Sequence, residues 1–129
     1  MATVKLTANV GSCQLRYYTD GRAECWVGGK LMWTEAWASD WTHMLPYRAF
    51  GKDMLLSYKE GAGDAALDEI RSDGWTSGGR VKWRGGWEQF KISYHPNGRV
   101  FLISKRPGEE HFDEFTSASS LETLHKFFH

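Results

Sequence analysis

The sequence predicts an all-β protein built from repeated units of four short antiparallel strands. Two observations carry this prediction: an internal repeat with an offset of about 46 residues, and turn signals that recur every few residues between strand-like runs. A propeller-like stack of such units is one arrangement with these features, and a compact β-trefoil-like barrel is the alternative.

The repeat is clearest in the second half of the chain. Residues 54–61 recur at 100–105, and residues 67–70 recur at 112–115. The sequence therefore predicts a single domain, 1–129, of about two and a half repeats. Its units are residues 4–53, 54–99 and 100–129.

Three further matches extend the repeat to the first unit. Residues 37–44 match 83–90, with tryptophans at the first and fifth positions of both segments. The glycine pair of 28–33 matches that of 78–83. The segment 15–21 is aligned with the segment that ends at Asp73-Gly74, which makes the N-terminal copy a degenerate one.

Strand patterning supports this repeat. Phe90, Ile92 and Tyr94 alternate with polar residues, as a strand with one buried face requires, and the turn at 95–98 follows. Residues 64–70 have a helix-forming composition, but their partner at 111–115 alternates, so we expect a strand there as well. Residues 119–128 combine a serine cap with apolar residues at helical spacing, so the sequence leaves a helix as an alternative for this segment.

Charge and hydropathy exclude several partners. Lys and Arg total 16, as do Asp and Glu, so no net field attracts nucleic acid. No apolar run is long enough for membrane insertion, and the N-terminus lacks a signal-peptide pattern. We expect a cytoplasmic or non-classically secreted protein. Cys13 and Cys25 could face each other across a hairpin, but free thiols are favoured because the cytosol is reducing.

The segments 85–91 and 95–103 resemble the repeat of tachylectin-type and tectonin-type β-propeller lectins, which open with Gly-Gly-Trp-x-x-Phe and contain a Pro-Asn-Gly hairpin. The resemblance implies four-stranded blades with carbohydrate sites between neighbouring blades. A closed propeller needs about four to eight blades, more than this chain encodes. Copies of the chain could complete the ring as a homo-oligomer, or the units could form a trefoil-like barrel or a sheet sandwich.

The seven tryptophans are the most unusual feature of the composition. Tryptophans at repeat boundaries either wedge units together, which is favoured for Trp37, Trp83 and Trp87, or expose a face that stacks on a sugar ring. The second role is given more weight for Trp41 and Trp75. The predicted ligand-binding residues are Trp41, Trp75, Trp37, Trp87, Tyr58, Lys59, Lys105, Asp68 and Asp113.

The charged members of this set recur in the repeat: Lys59 with Lys105, and Asp68 with Asp113. Solvation of a strand face would explain the recurrence as well as repeated sugar sites would. Catalysis is not expected, because adjacent acidic residues on a strand point to opposite faces and cannot form a converging carboxylate pair. The histidines lack zinc spacing and no calcium-loop pattern occurs, so we expect no catalytic residue, metal or cofactor.

The sequence thus predicts a carbohydrate-binding, lectin-like module that recognises carbohydrate or glycoprotein glycans and forms a homo-oligomer, with no enzymatic activity. The alternative is a protein–protein interaction module, an inhibitor or immunity-type partner, whose exposed aromatic residues serve as contact points without sugar binding. A purely structural assembly unit is a third possibility.

Overall fold

The computed structural model describes residues 2–123, with side chains up to residue 121, and contains strands but no helix in that range. The strands form three antiparallel four-stranded sheets. The N-terminal sheet contains β1 (Val4–Val10), β2 (Cys13–Tyr18), β3 (Arg22–Val27) and β4 (Lys30–Ala36).

The other two sheets repeat this up-and-down order. The middle sheet contains β5 (His43–Ala49), β6 (Lys52–Tyr58), β7 (Asp64–Arg71) and β8 (Gly74–Lys82). The C-terminal sheet contains β9 (Gln89–Tyr94), β10 (Val100–Arg106), β11 (Glu109–Ser117) and β12 (Ser120–Thr123). All-β architecture with repeated four-stranded sheets is therefore confirmed.

Every strand pairs only with its neighbours in sequence, so the described residues contain no closed barrel. The trefoil-like alternative is wrong for this chain. The segments 54–70 and 100–115 form equivalent second and third strands, as the repeat predicts, and residues 64–70 are strand rather than helix. Of residues 119–128, those up to 123 include β12, and the rest lie outside the described residues.

The repeat units lie in a different phase from the sheets. The predicted boundary at 53/54 falls near the start of β6, the second strand of the middle sheet, and that at 99/100 falls between the first and second strands of the C-terminal sheet. Residues 4–36, a degenerate copy in sequence, form a complete four-stranded sheet. Their divergence in sequence does not prevent this, because the backbone ladder needs only alternating burial and suitable turns.

The sheets stack face to face, and the first strands of neighbouring sheets, β1 with β5 and β5 with β9, make the main approaches between them. The first seam, between the N-terminal and middle sheets, buries Leu15 against Leu55. The second seam, between the middle and C-terminal sheets, buries Leu56 and Leu102. The middle sheet is therefore covered on both faces, and each outer sheet on one.

Cys13 and Cys25 are free thiols buried at the first seam. Burial, reinforced by a hydrogen bond with Cys25, raises the pKa of the Cys13 thiol far above its ordinary value. No helix in the described range could cross a membrane.

Candidate functional site

Two buried tyrosines fasten the loops that connect the sheets. The Tyr58 hydroxyl donates to the carbonyl of Arg84 at 2.6 Å and accepts from the backbone N–H of Trp87 at 3.2 Å. The Tyr17 hydroxyl likewise donates to the carbonyl of Ala38 and accepts from the N–H of Trp41. The loop after each sheet is thus held by the second strand of the same sheet.

Glycines hold the other end of each loop. The N–H of Trp37 donates to the carbonyl of Gly21, and that of Trp83 to the carbonyl of Gly63. A Cβ at Gly21 or Gly63 would lie 2.3 or 2.1 Å from the carbonyl oxygen of the same tryptophan, so no larger residue fits. These contacts make Trp37 equivalent to Trp83 and Trp41 equivalent to Trp87, as the repeat predicts.

Two other sequence matches are wrong. The tyrosine contacts make β2 equivalent to β6, whereas the repeat aligned residues 15–21 with the end of the third strand. The glycine pair at 28–29 forms the β3–β4 turn, but Gly78 and Gly79 lie inside β8. Both errors arise because short strand patterns resemble one another at any even shift along a sheet.

A cleft of about 660 Å³ opens beside the first loop. This seam cleft is bounded by residues 36–41 on one side and by β6, β7 and β8 on the other. Five of the predicted ligand-binding residues line it: Trp37, Trp41, Lys59, Asp68 and Trp75.

The aromatic side chains of the seam cleft differ in exposure. Trp37 and Trp75 are both partly exposed and meet edge to face, with ring centroids 5.3 Å apart. Trp41 is 8% exposed, and the Lys59 ammonium lies 4.8 Å from its ring centroid. Trp41 therefore acts mainly as a wedge covered by a cation, and Trp75 offers more ring surface to solvent.

Charges in the seam cleft are paired with one another. Lys59 lies 3.1 Å from Asp40, Lys82 lies 3.0 Å from Asp64, and Arg80 lies 2.9 Å from Asp68. The cleft therefore presents both donors and acceptors without a large excess of either charge. Such a lining suits a neutral polar ligand better than a strongly charged one.

Asp68 lies deepest among these charged groups and is 3% exposed. Burial raises the pKa of its carboxyl above the ordinary value, while hydrogen bonds from Arg80 and from the backbone of Gly78 oppose this. In contrast, the hydrogen bond from Lys59 is the main cause that holds the pKa of the exposed Asp40 carboxyl below its ordinary value.

Two buried polar atoms of the cleft residues have no hydrogen-bond partner: the Oγ of Ser57 and the Nε1 of Trp37. Ser57 itself is 2% exposed. Buried polar groups in folded proteins nearly always have a partner, because an unsatisfied one costs about 1–3 kcal/mol. Both residues belong to the lining of the seam cleft.

The second seam carries related residues. Trp87 is fully buried, and the Arg106 guanidinium lies 5.1 Å from its ring centroid. Arg106 thus covers Trp87 in the way that Lys59 covers Trp41. Arg106 is therefore the equivalent of Lys59, and the predicted equivalence with Lys105 is wrong. Lys105 points to the outer face and pairs with Glu110 at 3.0 Å.

The strand register explains this correction. Leu55 lies opposite Asp68, and Leu102 lies opposite Asp113, so that β6 and β10 correspond at an offset one residue longer than the sequence comparison used. Asp68 and Asp113 are equivalent and both buried. Asp113 belongs to the second seam, so it does not line the seam cleft with Asp68.

A difference in residue type at one equivalent position distinguishes the two seams. Ala66 packs near Trp41 at the first seam, whereas its equivalent at the second seam is His111, whose ring lies 5.3 Å from that of Trp87. The small Ala66 leaves room at the first seam, and the imidazole takes up the corresponding space at the second. Tyr58 faces the second seam and is fully buried.

Sequence reasoning missed four polar residues of the seam cleft, which are Ser57, Asp64, Arg80 and Lys82. A signal for Ser57 exists, since a serine also recurs at 104 within an otherwise apolar run. No group of three or more histidine, cysteine, aspartate or glutamate side chains in the described part of the chain is placed to hold a metal ion. Comparisons with protein-family models, curated proteins and solved structures find no match to the chain.

Proposed function

We propose that the chain is a carbohydrate-binding module and that the seam cleft is its binding site. The observation that carries the proposal is the pair of unpartnered buried atoms, Ser57 Oγ and Trp37 Nε1, beside a partly exposed indole. A sugar hydroxyl can both accept from the indole N–H and donate to the serine oxygen, so one ligand type satisfies both atoms.

The ring of Trp75 supplies the apolar part of this site. A pyranose has one face of C–H groups, and an aromatic plane is complementary to such a face. The volume of the seam cleft, about 660 Å³, lies in the range of small-molecule sites, roughly 300–1,000 Å³. The paired charges around it provide further hydrogen-bonding groups for a neutral glycan. Weak binding at one cleft would gain strength where several copies engage one glycoprotein.

The test compares Ser57→Ala with Ser104→Ala, its equivalent at the second seam. Both remove a buried hydroxyl that has no partner, so neither should lower the free energy of unfolding appreciably. Glycan-array screening identifies a ligand for the unmodified protein, and calorimetry then measures its affinity for each variant. We expect Ser57→Ala to weaken binding roughly tenfold. Ser104→Ala should leave the affinity unchanged.

Two results would contradict the proposal. One is an array without any bound glycan at high protein concentration. The other is equal weakening by both serine variants, which would separate the binding from the seam cleft. Capture of one stoichiometric protein partner, unaffected by added sugars, would instead favour a protein–protein interaction module.

A further inference from the structure

The two outer faces of the sheet stack are copies of faces that are buried elsewhere in the same chain. We call the face of a sheet that points toward the next sheet in the chain its forward face, and the opposite face its backward face. Each seam packs the forward face of one sheet on the backward face of the next. Leu15 and Leu55 lie in the buried cluster of the first seam, and Leu56 and Leu102 in that of the second. The forward face of the C-terminal sheet and the backward face of the N-terminal sheet have no such neighbour within residues 2–121.

The forward face of the C-terminal sheet keeps three apolar side chains at seam positions, flanked by the charged Lys105, Glu110 and Glu114. By register, its Ile103 corresponds to Leu56 of the middle sheet, and Phe112 opposite it corresponds to the buried Leu67. Phe112 is nevertheless 41% exposed. Phe101, the equivalent of Met54, adjoins them on this face.

The backward face of the N-terminal sheet is rich in aromatic and arginine side chains. Arg16 lies 4.5 Å from the ring centroid of Trp26, and Arg22 lies 4.2 Å from that of Tyr18. Glu24 accepts hydrogen bonds from both the Tyr18 hydroxyl and the Trp26 indole. Tryptophan, tyrosine and arginine are the residues enriched at protein–protein contacts, and here they are already ordered.

Hydrogen bonds and charges around Glu24 order the aromatic side chains of this face. Burial raises the pKa of the Glu24 carboxyl, but the hydrogen bonds from Tyr18 and Trp26, with Arg22 and Arg16, outweigh burial and leave it below its ordinary value. Glu24 is therefore ionised at neutral pH and orders the two aromatic side chains around it.

We propose that a second copy of the chain covers each outer face, in a head-to-tail dimer that closes a ring. The forward face of one C-terminal sheet packs on the backward face of the partner's N-terminal sheet, and the same contact forms again on the other side. Closed rings of such sheets contain about four to eight. With three sheets per chain, two chains give six, the only multiple of three in that range. The inference is independent of the proposed sugar binding.

The register of the inner seams predicts which residues meet. Leu15 and Leu55 share the buried cluster of the first seam, and Leu56 and Leu102 share that of the second, so the equivalent positions at the outer faces are Ile103 and Gln14 of the second copy. Single variants Gln14→Cys and Ile103→Cys are therefore mixed under mild oxidation. We expect a covalent dimer in the mixture and none with either variant alone, because the contact joins two different faces.

Sedimentation of the full chain provides the second measurement. We expect the mass of a dimer for the unmodified protein and that of a monomer for Phe112→Glu. Phe50→Glu, which alters another exposed phenylalanine in the turn after β5, is the control and should stay dimeric. Circular dichroism of each variant reports whether it is folded.

A chain that remains monomeric at high concentration overturns the proposal, as does a folded Phe112→Glu variant that remains dimeric. Cross-linking of Gln14→Cys to itself would show a face-to-face dimer and overturn the head-to-tail geometry. If Phe112→Glu fails to fold, the mixed cysteine experiment decides: a cross-link supports the proposal and its absence contradicts it.

Discussion

At the scale of single residues, exposure distinguishes the tryptophans that pack in the core from the one that we propose as a stacking surface. Trp41 and Trp87 lie under a lysine and an arginine, respectively, and are almost fully buried. The rings of Trp75 and Trp37 meet edge to face, and part of the Trp75 ring is exposed to solvent. Truncating Trp75 should therefore affect ligand binding more than the core of the protein.

We expect Trp75→Ala to weaken glycan binding by roughly fivefold to tenfold, because stacking on an aromatic ring contributes about 1–1.4 kcal/mol. Quenching of tryptophan fluorescence or calorimetry with the array-identified glycan measures the loss. Trp26→Ala is the matched control, since Trp26 is also partly exposed but lies on the outer face of the N-terminal sheet. Equal losses in both variants would count against a site at the seam cleft.

The sequence identified residues that share one cleft, but it paired some of the repeat-equivalent residues wrongly. Trp37, Trp41, Lys59, Asp68 and Trp75 line one cleft. The remaining four predicted residues, which are Tyr58, Trp87, Lys105 and Asp113, lie elsewhere. A shift of one residue along β10 moves a side chain to the opposite face, so an alignment error of that size exchanges Arg106 for Lys105. Only the cross-strand register reveals it.

At the scale of elements, the tyrosine hydroxyls connect a strand to the loop that leads into the next sheet. The Tyr58 hydroxyl serves a carbonyl and a backbone N–H of the 83–88 loop at once. The N–H belongs to Trp87, whose side chain is fully buried, so water cannot easily replace the hydroxyl. This contact ties the geometry of the second seam to β6.

Tyr58→Phe should lower the free energy of unfolding by about 1–3 kcal/mol, because it leaves buried polar groups without their partner. Urea denaturation monitored by circular dichroism gives the value. Tyr94→Phe is the comparison: the Tyr94 hydroxyl also accepts a backbone N–H, from Arg48, but the side chain is 59% exposed. We expect its effect to stay within about 0.5 kcal/mol. Similar effects of the two changes would argue against a special role of the Tyr58 contact.

Elements could be predicted where the repeat is strong. The strands β6, β7, β10 and β11 follow from matching segments, and the helix-forming composition of residues 64–70 yields to sheet pairing. The N-terminal sheet was harder to predict because its outer face carries arginine, tyrosine and tryptophan side chains in place of the aliphatic residues that recur in β6 and β10. The tyrosine and glycine contacts that define its equivalence involve backbone groups, which leave little trace in the sequence.

At the scale of the whole molecule, the middle sheet differs from its neighbours in being covered on both faces. Adjacent residues of β6 point in opposite directions and are both buried, Leu55 in the first seam and Leu56 in the second. In β2 only one of two adjacent residues is buried, since Leu15 faces the seam and Gln14 faces outward.

We expect Leu55→Ala and Leu56→Ala each to lower the free energy of unfolding by about 2–5 kcal/mol, because each removes a buried side chain from a different seam. Leu15→Ala should lower the free energy of unfolding by a similar amount. Gln14→Ala should change stability by no more than about 0.5 kcal/mol in dilute protein. Thermal and urea unfolding of the four variants measure the pattern. A small effect at either Leu55 or Leu56 would mean that the corresponding seam contributes little.

The up-and-down order of every sheet has a consequence for how the chain acquires its structure. Because strands pair only with strands that are adjacent in the chain, no pairing depends on a distant part of the polypeptide. Each sheet can therefore assemble as soon as its four strands have left the ribosome, in order from the N-terminus. The forward faces of the first two sheets then remain exposed to solvent only until the next sheet has been synthesised. This limits the time during which a nascent chain exposes apolar surface to other chains.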